Sequence, residues 1–303
     1  MPIVTLIGAP TDIGAGHRGA SMGPEALRVA HITEALRERG LEVEDRGNLI
    51  GPTNPWQPPV NGYRHLPEVV QWNRSVYHAV HAALVDGRLP ILLGGDHCLG
   101  LGSITAVARY CREQGKKLLV LWLDAHADFN TSDITPSGNV HGMPVACLCG
   151  IGPRELTHLG GDAPALRPDQ IRQIGIRSVD AGEKKLVQEQ GLDIYDMRYI
   201  DEIGIKRAME EALSDIDANT HLHVSFDVDF LDPEIAPGVG TTVPGGPNYR
   251  EAQLVMEMIA DTGRLASLDI VELNPAFDDH NRTAKLAVDL VESLFGKSTL
   301  MRA

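Results

Sequence analysis

Three short stretches of this 303-residue chain concentrate side chains that ligate metals: Gly94-Gly95-Asp96-His97, Asp124-Ala125-His126-Ala127-Asp128 and Asp227-Val228-Asp229. Residues two apart in an extended segment project to the same side, so Asp124, His126 and Asp128 are expected to converge, as are Asp227 and Asp229. A carboxylate beyond a strand is commonly a helix cap or turn former, and an isolated His is commonly packed or solvated. A single Asp-x-His-x-Asp is only suggestive, although this composition produces it about 0.07 times by chance. The joint pattern is different. Four carboxylates and two imidazoles in one cleft would leave negative charge uncompensated, which is costly unless cations bind. Two divalent ions resolve that cost: the charges balance, one imidazole falls to each ion, and two carboxylates can bridge. Oxygen-rich ligation points away from structural zinc and toward Mn²⁺ or a similar ion. Two such ions about 3.5 to 4 Å apart can share and acidify one water, so metal-assisted hydrolysis is the expected chemistry.

The elements that must position these residues are read from the apolar runs. Ile3 to Ile7, Leu41 to Val43, Pro90 to Leu93, Leu118 to Leu123, Gln173 to Ile176, Leu222 to Phe226 and Ala266 to Val271 read as buried strands. Helices are expected between them at Pro24 to Arg39, Glu68 to Asp86, Ser103 to Gln114, Lys206 to Asp215, Arg250 to Thr262 and Ala284 to Phe295. Such alternation predicts a three-layer α/β/α fold with a mostly parallel central sheet. Ligands gather at the carboxyl ends of strands in such sheets, and all three metal-ligand stretches directly follow an apolar run. The irregular segments Ile50 to His65 and Asn130 to His141 are too short to be domain linkers, and no internal repeat occurs, so residues 1–303 read as one domain.

Composition restricts the function classes. Apolar residues make up 43% and charged residues 22%, ordinary globular usage. The formal net charge of −14, from 27 Lys+Arg against 41 Asp+Glu, disfavours nucleic acid and anionic membrane and favours a small cationic partner. No apolar run approaches the roughly 20 residues of a membrane span, and the first residues carry no basic leader, so a cytoplasmic protein is expected. The four cysteines lack Cys-x-x-Cys spacing and read as reduced packing residues.

The three metal-ligand stretches, the last extended to Ser225-Phe-Asp227-Val-Asp229-Phe-Leu-Asp232-Pro233, resemble the metal signatures of the ureohydrolases, the arginase and agmatinase family. The resemblance runs from Gly8 to about Phe295, nearly the whole chain. It implies two manganese ions per chain, one held by His97, Asp124, Asp128 and Asp227 and the other by Asp124, His126, Asp227 and Asp229, with Asp124 and Asp227 bridging. It also implies assembly as a homotrimer or homohexamer.

Within that family, the segment from Asn130 through Thr135, Ser137 and Asn139 to His141 is most like the arginase version, whose matching residues receive the substrate α-carboxylate. Amide and hydroxyl donors suit a carboxylate that an acidic cleft would otherwise reject. The resemblance assigns Asp180 and Glu183 to the α-amino group, although both could instead begin a helix. It gives Glu272 the guanidinium, His141 the proton shuttle to the leaving amine, Asp128 a catalytic as well as a ligating role, and Thr241 a place in the substrate pocket. A planar guanidinium suits a carboxylate, and an imidazole titrating near 6.5 suits a shuttle. Ser178, Ala181 and Cys98 depart from the common pattern, which has Asp, Pro and Ser there. The expected function is hydrolysis of L-arginine to L-ornithine and urea. The rivals are another ureohydrolase, acting on agmatine, guanidinobutyrate or formiminoglutamate, and a non-catalytic metal-binding oligomer. The last has no need of His141 or Glu272, and both are present.

The glycine-rich Gly14-Ala-Gly16-His-Arg-Gly19 lacks the Lys of a phosphate-binding loop and reads as a close-packed loop at the cleft rim. His223 is expected near the metal ligands and His221 in packing.

Overall fold

The computed structural model describes residues 3–161 and 164–298. Eight strands, β1 Val4–Gly8, β2 Val43–Asn48, β3 Leu89–Leu93, β4 Lys117–Leu123, β5 Ile171–Ile176, β6 Asp193–Asp196, β7 Thr220–Asp227 and β8 Leu265–Val271, form one sheet in the order β2-β1-β3-β8-β7-β4-β5-β6. Every pairing is parallel. All carboxyl ends therefore open on one edge of the sheet. The chain passes from β3 to β4 across the positions of β8 and β7, so His97, Glu272, Asp227 and Asp124 all follow strands at the middle of that edge.

Apolar side chains alternate across the sheet into two buried layers, which makes the fold three-layered α/β/α. Leu119, Leu121 and Leu123 of β4 face the helices Ile205–Ala212, Tyr249–Asp261 and Arg282–Leu294, whereas Leu118, Val120 and Trp122 face Leu66–Val85 and Gly100–Gln114. Burying each such side chain contributes roughly 1.5 to 3 kcal/mol. On the second face, β7 and β8 carry His221, His223, Ser225, Ser267 and Asp269 instead of aliphatics, so the polar interior reaches the site from below. The helix that follows His97 is pinned there. A Cβ on Gly102 would stand 2.3 Å from the Asn73 carbonyl, so only glycine permits this approach to the helix Leu66–Val85.

Several boundaries differ from the sequence reading. The stretch Pro24 to Arg39 is two helices, Gly23–Val29 and Ile32–Glu38, broken at His31, whose φ is 65°. The change of direction lets Leu27, Ile32 and Leu36 all reach the core. The strand expected at Leu41 to Val43 lies at Val43–Asn48, and β6 has no counterpart in the apolar runs. Both are edge strands; β2 is solvated beyond Val43 and β6 is only four residues long with Tyr195 alone buried, so neither carries the hydrophobic pattern that reveals a central strand. The helix Ala181–Gln190 begins at Asp180 and Glu183, as their acidic first turn allowed, whereas Met197–Ile203 had no counterpart in the sequence reading.

Candidate metal centre and active site

A cleft of about 250 Å³ opens at the carboxyl edge of the sheet, and every site residue expected from the sequence lines it except Asp124, which is fully buried beneath it. His97 follows β3 in a single 3-10 turn. Its Nδ1 lies 3.1 Å from Asp124 Oδ2, 3.2 Å from Asp128 Oδ2 and 3.0 Å from Asp227 Oδ2. That nitrogen is buried with no hydrogen-bond partner, because Nε2 is committed to Ser225 Oγ at 2.8 Å. In the neutral tautomer whose Nε2–H donates to Ser225, the Nδ1 lone pair would face three carboxylate oxygens, the arrangement a cation requires. Trp122 completes the support, stacking on the His97 ring at 4.0 Å and donating from Nε1 to Asp124 Oδ2 at 2.9 Å.

A second group adjoins the first. His126 Nδ1 lies 3.0 Å from Asp229 Oδ2 and 3.5 Å from Asp124 Oδ1. Asp124 thus offers one oxygen to each group and is the residue common to His97, Asp124, Asp227 and to Asp124, His126, Asp229. Asp227 offers Oδ2 to the first group, while its Oδ1 accepts the Asp229 N–H at 2.8 Å. The convergence arises differently from the expected strand alternation. β4 ends at Leu123 and β7 at Asp227; beyond them His126 forms only an isolated parallel bridge with Ser178, and Asp229 lies in a 3-10 turn. Asp128 reaches the centre through a left-handed backbone, φ 49°. That conformation costs a non-glycine residue about 1 to 3 kcal/mol and is retained where function demands it.

The electrostatics of these groups suit a cation site. Burial, then Asp229 and Asp124, push the Asp227 carboxyl well above its ordinary range. Burial and Asp124 push Asp128 up to about 6. Burial opposes a charge on His97 and His126, yet the carboxylates around them raise both, His126 to about 12. Each cation-free state leaves a buried charge poorly compensated, and divalent ions remove that conflict. Six oxygen and nitrogen donors, no thiolate and one orphaned buried imidazole nitrogen fit two such ions.

Next to the candidate ligand His97, Glu272 follows β8 with φ 62°. Its Oε1 accepts the His97 backbone N–H at 2.8 Å and lies 2.9 Å from His141 Nδ1. Burial would lower the His141 imidazole, but Glu272, then Asp96 and Asp128, raise it to about 9. Glu272 itself is held below its usual range, because His141 and the His97 N–H outweigh its burial.

The loop from Asn130 to Asn139 forms another wall. Thr135 Oγ1 accepts the Ser137 and Gly138 N–H groups at 3.3 and 3.0 Å, and Ser137 Oγ accepts the Asn139 N–H at 3.2 Å. Both hydroxyl oxygens serve as acceptors in the turn, so their own hydrogens remain free to donate into the cleft. Asn130 Nδ2 donates to Asp180 Oδ2 at 3.2 Å, which ties this wall to the next. Asp180 and Glu183 do begin a helix, Ala181–Gln190, with a reciprocal capping box. Glu183 is buried, takes the Phe129 and Asp180 N–H groups at 2.8 and 3.1 Å, and is pushed up to about 7 chiefly by burial. Capping and cleft lining therefore coexist in these two residues. Thr241 lines the cleft, but its hydroxyl donates to Asp229 Oδ2 at 2.9 Å and supports a candidate metal ligand.

Some contributors escaped the sequence reading. Ser225 shares a strand face with Asp227, a spacing that could have revealed it. Arg177 donates to the carbonyls of Val243, Gly175, Phe230, Asp229 and Leu231, binding the Asp229 turn to the Thr241 loop, and no local signal announces that. Asp96 accepts the Gly14 and Cys98 N–H groups at 2.9 and 3.0 Å, which docks the glycine-rich loop at the cleft rim as expected. His223 pairs with Ser267 and Asp269 rather than with any metal ligand.

Comparison with known proteins gives a consistent result. The model of the Arginase family matches residues 3–296. An arginase of Brucella melitensis is 45% identical over 299 residues, covering 98% of this chain and 97% of that protein. The native arginase structure from Bacillus caldovelox matches with a TM-score of 0.92 at 40% identity, covering 99% of this chain and 100% of that one. An arginase from Entamoeba histolytica, solved in complex with L-ornithine, matches with a TM-score of 0.88 at 32% identity, covering 98% and 100%.

Proposed function

The chain belongs to the arginase family, and from that premise we propose that it hydrolyses L-arginine to L-ornithine and urea, with two Mn²⁺ ions per chain. The observation that carries the arginine assignment is that one cleft is lined by Asn130, Thr135 and Ser137, by the acidic pair Asp180 and Glu183, and by Glu272 and His141, with Asn130 tied to Asp180 at 3.2 Å. Such a cleft offers donors to a carboxylate, acceptors to an ammonium and a carboxylate to a guanidinium. The L-ornithine held by the Entamoeba histolytica arginase carries the same α-amino acid group.

His97, Asp124, Asp128 and Asp227 would hold one ion, and Asp124, His126, Asp227 and Asp229 the other. Bound there, the ions supply an acidified water and Lewis acidity next to the guanidino carbon. The protein's own groups do the rest. Glu272 Oε1 is committed to His97 and His141, so Oε2 is the oxygen left for the guanidinium. Asp128, on the first ligand group, orients the attacking water. His141 donates Nδ1–H to Glu272, which leaves Nε2 as the nitrogen that delivers a proton to the departing amine of ornithine. Asn130, Thr135, Ser137 and Asn139 receive the α-carboxylate, Asp180 and Glu183 the α-amino group, and Thr241 steadies Asp229.

Residues 1–303 are read as a single domain; residues 1–2, 162–163 and 299–303 lie outside the described structure. The family reading further supports a homotrimer or homohexamer in the cytoplasm. Among the described residues no helix is long and apolar enough to cross a membrane. Urea release measured against arginine, agmatine and guanidinobutyrate tests the assignment. Arginine should have the highest kcat/KM, and preference for either other compound sinks the arginine reading while leaving guanidino hydrolysis intact.

A further inference from the structure

Arg64 joins two loops at the carboxylate side of the cleft. Its backbone N–H donates to Gly138 O at 2.8 Å, its Nε to Asn139 Oδ1 at 2.7 Å and its Nη1 to Gln57 O at 3.0 Å. The segment that carries it is anchored by the next residue. His65, with φ 54°, is buried, accepts the Gln57 N–H on Nε2 at 2.9 Å and donates from Nδ1 to Ile13 O at 2.8 Å. Both ends of the guanidinium's reach are therefore held by ordered backbone.

This contact settles which way the Asn139 amide faces. Arg64 can only donate, so the atom it meets must be the amide oxygen, and Nδ2 is the other atom. Nδ2 lies against Gly16, where an added Cβ would stand 2.7 Å from it, and Asn139 lines the cleft. Nδ2 has no hydrogen-bond partner among the described residues. Clamped between Arg64 and Gly16, Asn139 presents a donor rather than an acceptor. Charge adds to geometry. No carboxylate lies within salt-bridge distance of Arg64 among the described residues, while the cleft beside it holds Asp128, Asp180, Glu183, Asp227, Asp229 and Glu272. An unneutralised guanidinium at that edge gives an otherwise acidic cleft one place of favourable potential for an anion.

We propose that Arg64 is a specificity-determining positioning residue, which fixes the Asn139 amide as a donor and supplies positive potential for the substrate's α-carboxylate. The proposal rests on the assignment of residues 130–139 to that carboxylate. It predicts that Arg64 matters for arginine and not for agmatine, which has the guanidinium but no carboxylate.

The test compares kcat and KM for arginine and agmatine in wild type, Arg64→Gln and Arg64→Lys. Arg64→Gln should raise KM for arginine about tenfold, as expected for a lost charge-assisted hydrogen bond, with kcat for arginine and kcat/KM for agmatine unchanged. Arg64→Lys, which keeps the charge and is the milder change for folding, should recover part of the loss. In an Asn139→Ala background Arg64→Gln should cost arginine less than in wild type. Equal losses for both substrates, or an unmoved arginine-to-agmatine ratio in both Arg64 variants, overturn the role. Wild-type preference for agmatine would instead sink the underlying arginine reading, so the two failures are distinguishable.

Discussion

Oε1 of Glu272 sits 2.9 Å from Nδ1 of His141 and at the same time accepts the backbone N–H of His97 at 2.8 Å. One oxygen thereby joins the candidate proton shuttle to the backbone of a candidate metal ligand. Glu272 reaches this position with φ 62°, a conformation that a side chain of its size adopts only under constraint. Its negative charge is a principal reason that His141 rises to about 9 despite burial.

Glu272→Gln keeps an acceptor for His97 N–H and removes the charge. The His141 pKa should then fall, and because the shuttle works as a protonated acid, the alkaline decline of kcat/KM should begin at lower pH. Profiles from pH 6 to 10 check this, and an unmoved alkaline limb would disconnect the pair. His141→Ala should lower kcat by about 10² to 10⁴ with metal content intact. A metal-depleted His141→Ala would show the residue to be structural.

Asp124 belongs to both ligand groups, one oxygen to each, whereas His126 belongs to one. Asp124→Ala should therefore lose both ions and His126→Ala only one, as counted by elemental analysis of purified protein. Two ions retained by Asp124→Ala would refute the shared-ligand geometry. Chelation of wild type should lower the melting temperature, since an ion bound only by the native state stabilises it by mass action.

Asn130 and Ser137 line the cleft and are the proposed receivers of the substrate carboxylate, and a pocket built around hydrogen bonds discriminates against a substrate lacking their partner by up to about 10⁴ or more. Replacing both with Ala should shrink the ratio of kcat/KM for arginine over agmatine, chiefly by harming arginine. Parallel losses on both substrates would show that the loop supports the site without reading the substrate.

His221 provides a stability test far from the cleft. It is 2% exposed, with Nε2 3.0 Å from Ser267 Oγ and Nδ1 without a partner. Burial, then His223 and Lys116, push its imidazole down to about 3, against about 6.5 for an unfolded histidine. A folded pKa below the unfolded one means that the full stability is present above pH 6.5 and is lost as pH falls toward 3. The loss is roughly 1.4 kcal/mol per pH unit, or about 2.7 kcal/mol between pH 6.5 and 4.5. Urea unfolding at pH 7.5 and 4.5 should show His221→Gln losing less stability than wild type by that order. Identical pH dependence would mean that His221 accepts a proton in the folded state.

Much of the molecule could be read before folding. The central strands announce themselves as continuous apolar runs because they are buried on both faces, and the candidate ligand residues cluster at the carboxyl ends of β3, β4 and β7. Local composition thus sufficed for the layer architecture and for a hydrolase reading. It failed at the edge strands β2 and β6, whose short or solvated sequences display no continuous apolar run.

The site's geometry depends on partners distant in the chain. His97 and Glu272 are 175 residues apart, His141 and Glu272 131, and Arg64 and Asn139 75. Their meeting follows from strand order: β8 and β7 lie between β3 and β4, and the chain must cross them to complete the sheet. Alternation along an extended strand suggested that Asp124, His126 and Asp128 would converge, and they do so by another route, since β4 ends at Leu123 and Asp128 turns inward through a left-handed backbone. Residue types are a local property of the chain. Which amide atom of Asn139 is held by Arg64, or which oxygen of Glu272 is committed to His97 and His141, is set by neighbours that only the packing of distant loops supplies.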